Sequence, residues 1–502
     1  MLADVLKRIG KHTLIYGLGN IMTRVTAFFM IPIYTNYLSP TDYGVIDLLD
    51  LSSYLLGIIL TIGMSSTVLR FYYEYQDARQ RNLLISTALG FVSMIEVLAL
   101  VVLGSLSEKI SGWVFQTVRY RDYFKVIFVT MCFGIMIDLV MTYLRAKQRS
   151  LGYTLLSVAW LVLGLTLNIY LIVVLKKGIW GVLVSGVVSS GAIALVVAAA
   201  TLREVGVGFS WSLLKPMVSY GAPLILSSLG MFVVTFGGRV FVQRMAGLAE
   251  VGIYSLGYKI GMGISVLVVT PFLLFWFAYM DEIAKRDDGR EMFARIWAYF
   301  GFILGVLSLG LCLLGGDLVR MLTPRDYWRA AVIVPIIALA YFILGVNYFF
   351  HIGMNLAKRT GYLAYSLGGG ALVSLTLNYI LVQRHGAVGA AVATLLSFGV
   401  MAVANYYFSQ RLYRVDYQYS RMARMVGVGL VLFFVSQILP LNAGFLGMGI
   451  RVALWLSFPL VLGFMDFYTA EEVELSRVAA RYCVERVRDF VDSVAARRWV
   501  SR

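Results

Sequence analysis

Charge is scarce in this chain: Asp, Glu, Lys and Arg make up 14% of its 502 residues, against about a quarter in soluble domains. That excludes an ordinary water-soluble fold. Acid is scarcer still, with 27 Asp and Glu against 43 Lys and Arg. In a soluble protein such a surplus would point to nucleic acid. Here the basic residues cluster in short connections between apolar runs, so the positive-inside bias accounts for them and no nucleic-acid partner is expected. Cys132, Cys312 and Cys483 stand alone and give neither a disulfide framework nor a metal spacing. Enzyme signatures are missing too: there is no GxxxxGK[ST], no HExxH, and no connection large enough to hold a glycosyltransferase or polymerase site. Met1 to Lys11 lack a small-x-small cleavage pattern and read as an interfacial lead-in, not a signal peptide.

What is present is apolar sequence, 60% of the chain, in runs long enough to cross ~30 Å of hydrocarbon as helices. Backbone groups in lipid must be satisfied within their own segment, and these runs are too long for barrel strands, so an all-α polytopic membrane protein is expected. Hydropathy and charged breaks predict about fourteen transmembrane helices. Lys and Arg fall mostly on the side of the N-terminus, which places both termini in the cytoplasm. Pro32, Pro223, Pro271, Pro335 and Pro459 lie inside predicted spans and are expected to bend them. After the last span, Thr469-Ala470-Glu471-Glu472 reads as a capping box opening an amphipathic helix, with Arg477, Arg481 and Arg488 on a face suited to an anionic leaflet.

The chain repeats itself. Gly152-Tyr153, Leu165-Thr166-Leu167-Asn168 and Gly178-Ile179-Trp180-Gly181 recur as Gly361-Tyr362, Leu375-Thr376-Leu377-Asn378 and Gly386-Ala387-Val388-Gly389, roughly 210 residues later. Tyr43-Gly44 and Val251-Gly252, at the starts of the second and eighth spans, are a fainter match. Six spans separate equivalent positions, so the halves share one orientation and are related by a pseudo-twofold along the membrane normal. The expected units are an N-terminal six-helix lobe at 1–201, a C-terminal six-helix lobe at 202–410, two extra helices at 411–468 and a cytoplasmic tail at 469–502.

Polar residues stranded at depth mark the candidate site. Arg24, with Asn20 beside it, sits near the middle of the first span. An arginine there costs roughly 2.5–3.5 kcal/mol on insertion scales, so it should face protein or water. Arg239 lies late in the seventh span and Lys259 near the middle of the eighth. Cations from both lobes would line a cavity that attracts a polyanion such as a pyrophosphate. A purely structural role, with Arg24 held by Asp47 or Asp50, stands beside that reading, as does snorkelling of Arg239 and Arg244 to the interface. Asp47, Asp50 and Asp138, together with Glu96, are candidates for proton or sodium coupling or for partnering a nearby cation. His351 reads as a packed or solvated imidazole.

Gly19-Asn20, Thr23-Arg24, Phe28-Phe29, Pro32-Ile33 and Leu38-Ser39-Pro40-Thr41-Asp42-Tyr43-Gly44 resemble the opening hairpin of polysaccharide-biosynthesis flippases. These form the O-antigen or Wzx-type branch of the superfamily that also holds the multidrug and toxin extruders. Ala357-Lys358-Arg359-Thr360-Gly361-Tyr362 is similar to that family's second stretch. The resemblance implies a V-shaped pair of lobes without enzymatic activity or cofactor, in a bacterial cytoplasmic membrane. Its substrate would be an oligosaccharide linked by pyrophosphate to a polyprenol, flipped by alternating access, with glycan polymerase and chain-length proteins as partners. Where the peptidoglycan-precursor branch carries a further arginine, this chain has Met30, which favours capsule, exopolysaccharide or O-antigen. A multidrug antiporter and a membrane glycan polymerase or ligase are the alternatives.

Overall fold

The second span begins where side-chain chemistry dictates. In the computed structural model, which describes residues 28–439, 444–469 and 472, the Ser39 hydroxyl accepts from the Asp42 N–H at 3.2 Å, and the Asp42 carboxylate accepts from the Ser39 N–H at 3.1 Å. This capping box, with Pro40 at the first helical position, starts helix α1, Pro40–Thr61. The stretch 38–44 is therefore already helical from Pro40. At the far end Ile62 and Gly63 both adopt left-handed backbone, φ 46° and 61°, which stops α1 and offsets α2, Met64–Glu74.

The described residues form helices and connecting turns. After α2 come α3 (Ala78–Ser105), α4 (Ser107–Phe115), α5 (Arg121–Ala146), α6 (Ser150–Ile169) and α7 (Ile179–Val205). Within this group α5 packs against α1, α2, α3 and α7, while α1 packs most closely on Leu248–Gly261 of the second bundle. The connection between α3 and α5 is thus occupied by the short helix α4. The second bundle comprises α8 (Trp211–Phe236), α9 (Gly238–Ala246), α10 (Leu248–Gly261), α11 (Thr270–Ala284), α12 (Gly289–Leu322), α13 (Ile333–Asn347) and α14 (Gly361–Leu412). Helices α15 (Tyr419–Ile438) and α16 (Phe445–Phe464) lie against α12.

Twelve helices among the described residues are long and apolar enough to cross a membrane. One of them, α14, is two spans joined through Gly386, whose backbone (φ 54°, ψ −131°) is not helical. The first expected span is described only from residue 28. The fourteen expected helices and the twelve observed are therefore the same architecture. Gly178, one repeat earlier than Gly386, has φ 57° and ψ −134°. The repeated glycines thus take the same positive-φ conformation, which a side chain would strain.

Irregular helical turns fall partly where proline predicts. Pro216 and Pro223 sit inside α8 and Pro459 inside α16; a wide π-helical turn at Ser265–Val269 ends just before Pro271, whose missing N–H breaks the regular ladder there, while the π-turn at Tyr170–Val174 has no proline beside it. The expected capping box at Thr469 is present: Glu472 accepts from the Thr469 N–H at 2.8 Å, and Arg421 donates to the same carboxylate. The remainder of the expected tail helix lies outside the described residues.

A buried ion pair fastens the extra helices. Arg451 on α16 donates to both carboxylate oxygens of Asp317 on α12 at 2.9 Å. Asp317→Ala strips Arg451 of this carboxylate, a change that costs about 3–5 kcal/mol for buried pairs. It is expected to lower the thermal unfolding temperature of the detergent-purified protein. Replacing both partners by apolar residues, Asp317→Leu together with Arg451→Met, is expected to restore most of the loss.

Candidate functional site

The two bundles meet where glycine lets backbone touch backbone. A Cβ placed on Gly44 of α1 would lie 2.2 Å from the Leu248 carbonyl oxygen of α10, and one on Gly252 of α10 would lie 2.0 Å from the Pro40 carbonyl oxygen of α1. Any larger residue would hold these helices apart. Gly44 and Gly252 occupy the same place in the two repeats, as do Pro40 and Leu248, so each half repeats the other's contact across the pseudo-twofold.

One helical turn deeper, the next pair of repeat mates also meet. The Ser255 hydroxyl of α10 donates to Asp47 of α1 at 2.6 Å, and Arg239 Nε of α9 donates to the same carboxylate oxygen at 2.7 Å. Arg239 is 5% exposed, and its guanidinium lies 5.1, 5.4 and 4.4 Å from the ring centres of Phe236, Tyr254 and Tyr258. That aromatic cage belongs to the second bundle. Asp47 is the contribution of the first.

Lys259 sits eleven residues into α10, about 16 Å from its start at 1.5 Å per residue. Its ammonium donates to the Tyr43 hydroxyl at 3.0 Å. Tyr43, Asp47, Asp50 and Tyr54 follow one face of α1 at helical spacing, and Tyr54 reaches Phe232 and Phe236 of α8 with ring centres 6.1 and 5.7 Å apart. Asp50 lies on this same face, between residues that touch the second bundle, yet it is exposed. A space therefore opens between the bundles beneath the Asp47 contact, with Asp50 on one wall and Lys259 close enough to bear on it electrostatically.

The remaining expected residues separate. Asp138 on α5 is exposed and accepts from the Ser65 hydroxyl at 2.5 Å, so its partner is a hydroxyl and not an arginine. Arg239, expected to face the cavity as an anion ligand, is in this conformation buried and paired with Asp47. Arg244 reaches across to α4, 5.3 Å from the Trp113 ring centre. His351 is tied to Asn405, with Nδ2 and Nε2 3.3 Å apart. Asn20 and Arg24 lie outside the described residues. Among the described residues no cluster of three or more His, Cys, Asp or Glu could hold a metal.

Sequence reading missed the hydroxyls that complete the site. Ser255 and the Tyr258 and Tyr341 hydroxyls, 3.0 Å apart, carry no motif, and Tyr43 lies in one that does not mark it as a ligand. Asn168 is different: this repeated residue donates to the Tyr34 hydroxyl at 2.9 Å and ties the end of the first span to α6. Ser255 was reachable as the repeat mate of Asp47.

Gly44→Ala is expected to pry α1 from α10. In a background with the native cysteines replaced, a Cys at position 255 should then react with a membrane-impermeant thiol reagent at least about tenfold faster, as a loss of ~1.4 kcal/mol of closure requires. Gly57→Ala, where an added Cβ meets nothing within 4 Å, should leave the rate unchanged.

A family model described as polysaccharide biosynthesis protein matches residues 9–284. "Lsg locus putative protein 1" of Haemophilus influenzae is 20% identical over 390 residues, covering 74% of this chain and 92% of that protein. Among solved structures, one titled lipid II flippase MurJ in an inward closed conformation aligns with a TM-score of 0.72 at 12% identity, covering 90% of this chain and 99% of that one. An inward-facing multidrug resistance MATE family transporter of the MOP superfamily gives 0.62 at 14% identity, with 83% and 96% covered. At these identities the likeness establishes the fold.

Proposed function

We propose, from the premise that this chain belongs to the polysaccharide biosynthesis protein family, that it flips a polyprenyl-pyrophosphate-linked oligosaccharide across the bacterial cytoplasmic membrane without making or breaking covalent bonds. The observation that carries the reading is Lys259, a cation at mid-depth between two bundles that are shut at the Pro40 end. With the N-terminus cytoplasmic, the Pro40 end is the outer one, and this conformation is closed to the outside.

The chemistry follows from which residues travel together. Lys259 and its Tyr43 partner offer a donor to a pyrophosphate that enters once the bundles part at the opposite end, where Gly221 meets the Ile62 carbonyl, with Arg24 and Asn20 as further proposed ligands from the first span. When the bundles part at the Pro40 end, Asp47 leaves with α1 while Arg239 stays in its aromatic cage. An arginine stripped of its carboxylate becomes a strong site for phosphate. The cation shielded in the outer-closed state is thus presented in the outer-open one, which favours opening with anionic cargo aboard. The lipid tail remains in the bilayer, and the glycan carried is of the capsule, exopolysaccharide or O-antigen class.

A leaflet-accessibility assay in proteoliposomes with a fluorescent polyprenyl-pyrophosphate sugar tests this. Wild-type protein should transfer the label between leaflets with no change in its mass. Chain elongation would instead identify a polymerase, and selective movement of lipophilic cations a drug extruder. Lys259→Met should slow transfer about 10- to 100-fold, the worth of one charge-assisted hydrogen bond of roughly 1.5–3 kcal/mol. Wild-type transfer at equal protein level would remove Lys259 from the site.

A further inference from the structure

Glu96 takes no part in the site between the bundles, yet it is the most anomalous acid in the structure. It lies in α3, nine residues from Ser105, so about 14 Å along the helix from its Pro40 end. It is 8% exposed, and among the described residues it is the sole carboxyl with a buried oxygen, Oε1, that lacks any hydrogen-bond partner.

The helices packed on α3 bring it no counter-charge. From α5 comes Cys132, whose sulfur is 3.9 Å from the Glu96 carbonyl oxygen, while Asp138 is engaged with Ser65 and Lys125 with Asp122. Helix α1 turns Asp47 to Arg239 and Asp50 to the space between the bundles. On α2 and α8, Arg70, Glu74 and Lys215 lie at the end opposite Pro40, as do Arg203 and Glu204 of α7. Glu108 and Lys109 of α4 are exposed. Among the described residues, Cys132 is the titratable side chain placed beside it.

An isolated carboxylate in such a place carries a desolvation penalty that no ion pair offsets, whereas a carboxylic acid does not. We propose that Glu96 is a proton-binding site within the first bundle, distinct from the space that receives cargo, and that it is loaded as the neutral acid in this closed conformation. No base or cation among the described residues of the bundle exchanges that proton with it, so the proton is taken from water and returned to water. Exchange therefore requires a rearrangement that wets the α3–α5 interface. The link from this proton to cargo movement rests on the flippase reading, but the site itself does not.

Infrared spectra of the full chain in lipid bilayers at neutral pH test the site directly. Wild-type protein should show a carboxylic-acid C=O band that is lost in Glu96→Gln and shifted in Glu96→Asp. Identical spectra for wild type and both variants in that region overturn the proposal, and the Asp variant decides the matter if the Gln variant fails to fold. An imposed pH gradient should accelerate wild-type transfer of the lipid-linked sugar and leave Glu96→Gln unaffected; equal acceleration in both overturns the coupling. Absence of transfer in the wild type would count against the flippase reading alone, because the infrared band is read without cargo.

Discussion

Backbone contact at Gly44 and Gly252 is the constraint on which the rest of this architecture turns. Two bundles in a bilayer gain little from hydrophobic burial against each other, since lipid tails are as apolar as leucine. What joins them is close approach followed by a polar bond. The glycines bring α1 and α10 within reach, and only at that separation can Ser255 and Arg239 share the Asp47 carboxylate. The charge pair is correspondingly conditional. Its attraction is large in a dry interior, but so is the cost of stranding either partner, so the closure makes a two-state element and not a graded one.

A second close approach gives that element its leverage. A Cβ on Gly221 of α8 would fall 2.0 Å from the Ile62 carbonyl oxygen, at the left-handed break between α1 and α2. The first bundle thus touches the second near the Pro40 end and again at this joint. Across the joint Arg70 of α2 lies 4.3 Å from the Tyr220 ring centre. With two bearings on neighbouring helices, separation at one is naturally a rotation about the other.

Much of the fold was legible because it is periodic. Hydrophobic runs of span length, the Thr469–Glu472 capping box and the spaced glycines of the repeat each state a local physical requirement, and Gly178 and Gly386 show one requirement met twice. The site was legible as a set of stranded charges but not as a set of partners. Arg239 finds its carboxylate 192 residues away, and nothing in an apolar helix announces which face will meet which neighbour. Arg451 escaped notice for the same reason: it lies near the start of its span, where a cation can snorkel, and only its approach to Asp317 gives it a structural role.

The bond between Asp47 and Ser255 carries one more implication. A residue that sits against the symmetry axis of a doubled chain confronts its own counterpart, so whatever is written there in one copy is read by the other. Two aspartates would repel and two serines would leave the Arg239 guanidinium without an anion. An acid opposite a hydroxyl is the smallest departure from sameness that resolves both, and it fixes which half must supply the cation. The halves of this molecule cannot be interchanged, for a reason that resides in a single hydrogen bond.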